Sequence, residues 1–365
     1  MLFHYCILQA PTAYVKPLLS KNLLRCLANH LSESDRYLNR AAEKARKAIL
    51  SRSVAEASSS QLLLEAFLAS HLIGINFDVR TKTKTVEVLL TQAASANPNA
   101  CIATLDASIA DFTEGDEDDK QLGQNTLTNL IVSVFRVTQN EARCTKHWQT
   151  FVRKALELLG RYAYFPFIVD SNTVCNGQES NVSDSTRSLF RSRISSCLLH
   201  IIRQDKDAAQ IIYTFTRDMN DCSSIANLGE HLLLKYTKSE KHLKHAFEIL
   251  TEVNRGDSPD ERNRSRSRAA TLLLSLSILQ VYNEEPDAAS LLEDIIKIFH
   301  AGAERQPTEL LAKDSAFLVE VLLTFVSKPS LLLRRTACEV FGSITDLLDE
   351  EGLEPMLKVS RVITL

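Results

Sequence analysis

The sequence predicts an all-α protein, an irregular armadillo/HEAT-like helical solenoid, and three observations carry that prediction. Leu, Ala, Ser, Glu, Lys and Arg dominate the 365 residues, while Gly numbers only 10 and Pro 9, a composition of helix formers with few breakers. Apolar residues recur at three and four rather than at two, the period of a helix face and not of a strand. The breaks carry helix-start chemistry, and the helix pairs between them recur irregularly about every 35 to 50 residues, near the period of HEAT and armadillo arrays.

In chain order, helices are expected at Lys21 to Leu31, Leu38 to Ile49, Gln61 to Leu72, Thr83 to Ala93, Ala100 to Phe112, Gln121 to Val137 and Thr145 to Tyr162. The second half supplies Thr186 to Arg203, Ala208 to Met219, Glu240 to Val253, Arg266 to Tyr282, Ala288 to Ala301, Leu310 to Ser327 and Leu331 to Leu348. In Leu38 to Ile49, Leu38, Ala41, Ala42, Ala45 and Ile49 make a small-residue stripe while Arg40, Glu43, Lys44 and Lys47 stay wet. In the last helix Leu333, Ala337, Val340, Phe341 and Ile344 share one face and Arg334, Arg335 and Glu339 another, as a packed amphipathic helix requires.

The expected helix starts are Ser34 or Asp35 before Leu38, Asn97-Pro98, Asp205 before Ala208, Asp287, and Lys328-Pro329-Ser330 before Leu331. Three polar stretches, 113–121, 170–185 and 255–268, read as exposed loop insertions in a single array spanning 1–365.

Composition also narrows the function. The net charge is -3 from 42 basic and 45 acidic residues, so no global field draws the chain to nucleic acid or membrane, and any such contact rests on a local patch. The eight cysteines are scattered with no C-x-x-C, which reads as buried thiols of a reducing compartment. No apolar run reaches the roughly 18 residues of a membrane span. Met1 to Ala10 is apolar but lacks the basic start of a secretory signal. The reading is a soluble intracellular chain with no cofactor and no small-molecule substrate.

No phosphate-binding glycine loop, nucleophile elbow or zincin motif occurs. Asp116, Glu117, Asp118 and Asp119 invite a metal reading, since phosphoryl transfer uses carboxylates that bridge divalent ions. Crowded on one polar loop, they read instead as a solvated acidic run. Among the nine histidines, His231, His242 and His245 come nearest to a cluster and read as interhelical or surface groups.

The candidate anion contacts are basic. Arg262, Arg264, Arg266 and Arg268 alternate with small polar residues on an apparent tether, and arginine forks suit the phosphates of RNA, DNA or a phosphoprotein. The bland alternative is a solvated helix-entry loop offset by Asp257, Asp260 and Glu261. Lys82 and Lys84, close to Arg80, and Arg334 and Arg335 fall at helix starts, where the dipole favours anions.

Three segments resemble the DNA polymerase V family, also called DNA polymerase phi or Myb-binding protein 1A-like, in a fungal-type form. They are SKNLLRCLANHLSESDRYLNRAAEKARKAI (Ser20 to Ile49), NFDVRTKTKTVEVLL (Asn76 to Leu90), and the pair Leu276 to Ile296 with Phe317 to Phe341. The resemblance implies armadillo-like repeats, a nucleolar location, and a role in ribosomal RNA transcription and ribosome biogenesis. It implies nucleolar or preribosomal protein partners, and rDNA or pre-rRNA contact through local basic patches. The family's polymerase name is not matched by a Y-G-D-T-D-like block or an exonuclease carboxylate set here, so polymerase activity is not carried over. Family members are longer, and apolar residues at both ends of this chain lead to the expectation of a fragment. A nucleotidyltransferase and a purely protein-binding adaptor stand as the rivals.

Overall fold

The computed structural model describes residues 2–9, 11–34, 37–112, 117–137, 146–165, 183–225, 239–255, 260–300, 315–348 and 350–363. Among them every regular element is helical, with nineteen α-helices and no strand. None of these helices is long and apolar enough to cross a membrane. The chain divides into two compact units, Met1–Ala163 with Phe167–Cys197, and Tyr164–Pro166 with Leu198–Leu365.

The first unit opens with α1 (Leu2–Gln9), α2 (Val15–Leu18), α3 (Lys21–Leu31), α4 (Asn39–Ala55) and α5 (Ala57–Leu68). Its core lies along α5, which packs on α2, α4 and α8 (Thr85–Ala96) and buries Leu63, Leu64 and Phe67 completely. Ala42, Ala45, Ala48 and Ile49 form the buried face of α4; the predicted stripe holds at Ala42, Ala45 and Ile49, whereas its Leu38 and Ala41 are exposed because the buried face is turned toward Ala48. Two short helices, α6 (Leu72–Ile75) and α7 (Phe77–Thr81), fold back on α5, and the ring of Phe77 meets Phe67 edge-on at 5.2 Å. A Cβ on Gly74 would lie 1.8 Å from the Phe67 carbonyl oxygen, so only glycine permits this approach.

Asn97 caps α9 (Pro98–Asp111) by accepting from Ala100 N at 3.2 Å, as its Asn-Pro signature predicts. Next come α10 (Glu117–Val137) and α11 (Lys146–Tyr164), joined through the rings of Phe135, Trp148 and Phe151. Arg161 on α11 donates to Asp106 on α9 at 2.6 Å, and Tyr162 OH donates to the same carboxylate at 3.2 Å. Tyr162 also stacks on Phe190 of α12 (Asp184–Gln204), with centroids 5.0 Å apart.

The second unit is organised around α15 (Glu261–Tyr282). Every residue from Ala269 to Tyr282 is buried, the mark of a helix enclosed on all sides. Its neighbours are α13 (Ala208–Ile225), α14 (Ser239–Arg255), α16 (Ala288–His300) and α18 (Leu331–Ile344). Ser330 caps α18 through Leu333 N at 3.3 Å, as predicted. The last two helices in the packing are α17 (Ser315–Ser327) and α19 (Glu350–Ile363), which pack on one another. Two polar side chains inside α15 are matched, Ser277 Oγ donating to Leu273 O at 2.7 Å and Thr271 Oγ1 accepting from Asn254 Nδ2 of α14 at 3.2 Å, while the buried Ser275 Oγ has no hydrogen-bond partner among the described residues.

The loop expectations need correction wherever residues are described. Of 113–121, residues 117–121 are the start of α10, and 113–116 lie outside the described residues. Of 170–185, residues 184 and 185 begin α12, and 170–182 lie outside them. Of 255–268, Arg255 ends α14 and 261–268 are the first two turns of α15; 256–259 lie outside them. The reason is capping: Asp260 accepts from Arg262 N at 3.3 Å, and arginine is a good helix former once a start is supplied. Of the thiols, Cys101 and Cys197 are buried as expected, whereas Cys26 and Cys338 are exposed.

Candidate nucleic-acid interface

The four arginines of the 262–268 run stand on a helix, not on a tether. Residues two apart on a helix are turned by about 200°, so Arg262 and Arg266 share one side of α15 and Arg264 and Arg268 the other. Arg264 pairs with Glu261 at 3.0 Å, one turn back. Arg266 is only 15% exposed and pairs with Asp346 at 2.8 Å, beside a Ser265–Ser343 hydrogen bond of 3.2 Å. Half of the run is therefore engaged in holding α15 and its own first turn.

Those contacts also show that the start of α15 meets the end of α18. Arg334 and Arg335, in the first turn of α18, are nine and eight residues before Ser343, about 12 to 14 Å away along the axis. Arg335 pairs with Glu339 on the next turn, and Arg334 is exposed. The two arginine groups do not form one patch.

Lys82 and Lys84 belong to the first unit, where the amino end of α8 turns out to have its anion already. Asp78 Oδ1 accepts from Thr85 N at 2.6 Å and from Thr83 Oγ1 at 3.2 Å, while Oδ2 accepts from Glu87 N at 3.0 Å. Burial pushes the Asp78 carboxyl above its usual range, against the pull of these donors. Lys82 occupies the left-handed turn at φ 54° that lets α7 fold back, and Lys84 pairs with Glu87 at 3.1 Å. An internal carboxylate thus meets the electrostatic demand that suggested an external one.

Asp118 and Asp119 are exposed on the first turns of α10; Asp116 lies outside the described residues. No three His, Cys, Asp or Glu side chains among the described residues come together as a metal-binding group. His242 and His245 lie on α14, with His242 close enough to Glu293 on α16 to help hold that carboxyl low, after Lys297. His231 lies outside the described residues.

A second set of cations was legible only as a wet face. On α4, Arg40, Lys44 and Lys47 are exposed, and among the described residues none has an ion-pair or hydrogen-bond partner. Tyr37, just before α4, is 97% exposed, a placement that no pattern of sequence spacing announces.

These features describe a helical protein whose basic groups are spread over surfaces and helix starts. The family follows from comparison: the chain belongs to the DNA polymerase phi family, whose model matches residues 1–360. The resemblance read from the Ser20, Asn76 and Leu276 segments holds over the whole chain. It is 27% identical over 370 residues to the rDNA transcriptional regulator pol5 of Schizosaccharomyces pombe, an alignment that covers 94% of this chain and 36% of that protein. The chain therefore spans about a third of the length of this relative. No solved structure matches it.

Proposed function

We propose that the chain is part of a nuclear, nucleolar helical-repeat scaffold that acts in rDNA transcription and ribosome biogenesis by binding, not by catalysis. The observation that carries this reading is the relative named an rDNA transcriptional regulator, aligned over 94% of the chain. Physical support comes from the fold. Helices packed in series would present long surfaces, and the basic groups of both units lie on exposed helix faces and helix starts. The partners are nucleolar or preribosomal proteins, with rDNA or pre-rRNA contacted through local basic patches. The irregular armadillo-like array belongs to the same proposal, as the form in which these helices continue into a longer chain.

The test is chromatin and RNA crosslinking of the tagged protein in its own cells. Enrichment of rDNA repeats, pre-rRNA or ribosome assembly factors is expected; enrichment of unrelated partners alone would overturn the reading.

The family's printed description favours one other reading, a nucleotidyltransferase. Metal-dependent primer extension by the purified protein that disappears in Asp116→Asn/Asp118→Asn would establish it. We expect no extension above background.

A further inference from the structure

We propose that α4 and the turn before it form a binding site for single-stranded nucleic acid, with Tyr37 stacking on a base and Arg40, Lys44 and Lys47 following the phosphates. The helix carries five cations, Arg40, Lys44, Arg46, Lys47 and Arg52, against one acid, Glu43. Two of the five are spoken for: Arg46 pairs with Glu43 at 2.9 Å, and Arg52 pairs with Glu56 and donates to Leu8 O at 2.9 Å. The three that remain stand at i, i+4 and i+7, within about 60° of one another around the helix and over a rise of about 10 Å.

Acids on the elements packed against α4 do not neutralise them. Glu65 on α5 pairs with Lys16 at 3.1 Å and Glu87 on α8 with Lys84 at 3.1 Å, while α1 and α3 contain no acidic residue. With successive phosphates advancing about 3.4 Å per nucleotide along a stacked strand, three cations over this rise match about three nucleotides. Among the described residues, none pairs with them.

Tyr37 adds the second requirement. Two residues on, Asn39 Nδ2 donates to His30 O at 2.9 Å and Glu33 O at 3.1 Å, which ties the start of α4 to the end of α3. An aromatic ring 97% exposed beside this tie, three residues before the first free cation, is a stacking platform next to an electrostatic track. A duplex hides its base faces and would use only the cations; a single strand can use both. The proposal deepens the scaffold reading and rests on it only for the source of the strand.

The experiment is fluorescence anisotropy of the full chain with labelled single-stranded RNA, single-stranded DNA of the same sequence, and the corresponding duplex. Both single strands are expected to bind at least tenfold tighter than the duplex, and an RNA-over-DNA difference names the source. Affinity should fall about fifteen- to twentyfold between 50 and 200 mM salt, the slope of three phosphates.

Arg40→Ala/Lys44→Ala/Lys47→Ala should abolish most of that salt dependence. Tyr37→Ala should weaken binding about five- to a hundredfold, and Tyr37→Phe should restore it. Equal affinity for duplex and single strand with Tyr37→Ala silent, or wild-type binding by the triple variant, would overturn the site. Unchanged helical circular dichroism in each variant excludes loss of fold. If the strand is not bound in vitro while rDNA occupancy in cells persists, the site falls and the scaffold stands. Binding in vitro without rDNA or pre-rRNA recovery leaves the site and removes the scaffold.

Discussion

Both α4 and α15 start with a run of cations, yet α4 keeps three of them in water on one face, while α15 turns its four to two sides and then runs into the core. The number of charges is similar; the spacing differs. Arg40, Lys44 and Lys47 follow the helix period, so their charges add on one surface. Arg262, Arg264, Arg266 and Arg268 follow a period of two, so their charges separate, and Glu261 and Asp346 take two of them. A basic run makes a surface when its spacing matches its secondary structure, and otherwise supplies local ion pairs.

The largest effect that separates the two helices is on stability. Leu276, fully buried in α15, should lose about 2–5 kcal/mol on Leu276→Ala, because the enclosed helix leaves a cavity with little room to collapse. Urea unfolding of the purified chain would show it as a lower midpoint. Each of Arg40→Ala, Lys44→Ala and Lys47→Ala should stay within about 0.5 kcal/mol of wild type. A large loss from these three would mean that the α4 cations are structural, and the comparison would fail.

Next in size is the buried side of α4. Ala48 is 2% exposed in a face of alanines that lets neighbouring helices come close, so Ala48→Leu should cost about 1–3 kcal/mol through overpacking. A neutral result in the same unfolding assay would show slack between α4 and its neighbours.

What could be read from the sequence follows the same physics. The helices α3, α13 and α18 begin where their apolar periods put them, and Ser330 makes the hydrogen bond that its position predicts, while Ser20 caps α3 although no sequence pattern singles it out. The start of α15 was missed because arginine and serine alternate on all its sides and leave no apolar period to detect. The turns around Gly74 and Asp78 were equally hidden. Helices of four or five residues are held by tertiary contact with Phe67, and Asp78 caps α8 from seven residues before Thr85. For the site, the residues of α4 were visible as a wet face. That their charges are unpaired and that Tyr37 is exposed depends on distant neighbours.

A smaller effect tests the structural role assigned to the α15 run. Arg266→Ala removes a partly buried partner of Asp346, whose own side chain is 43% exposed, so about 1 kcal/mol should be lost. Arg262→Ala should be silent. If both were equally costly, the division of the run into two sides would be wrong.

The finest test adds a charge to the α4 surface instead of removing one. Glu43 is the single acid on α4 and holds Arg46 at 2.9 Å. In Glu43→Gln, the half-buried Arg46 loses its ion-pair partner but keeps a hydrogen-bond acceptor in the amide oxygen, so about 0.5–1 kcal/mol should be lost. Glu43 lies about 40° from Lys47 around the helix and Arg46 about 100°, so loss of the acid should strengthen the field along the three-cation face and tighten single-strand binding about two- to fivefold, with the log–log salt slope still that of three phosphates. The matching change on α15, Glu261→Gln, frees Arg264 on a side where Arg268 is its single aligned cation, and should leave strand affinity unchanged. Tightening by both would show that net charge alone governs binding; tightening by Glu43→Gln alone would show that the period of the charges does.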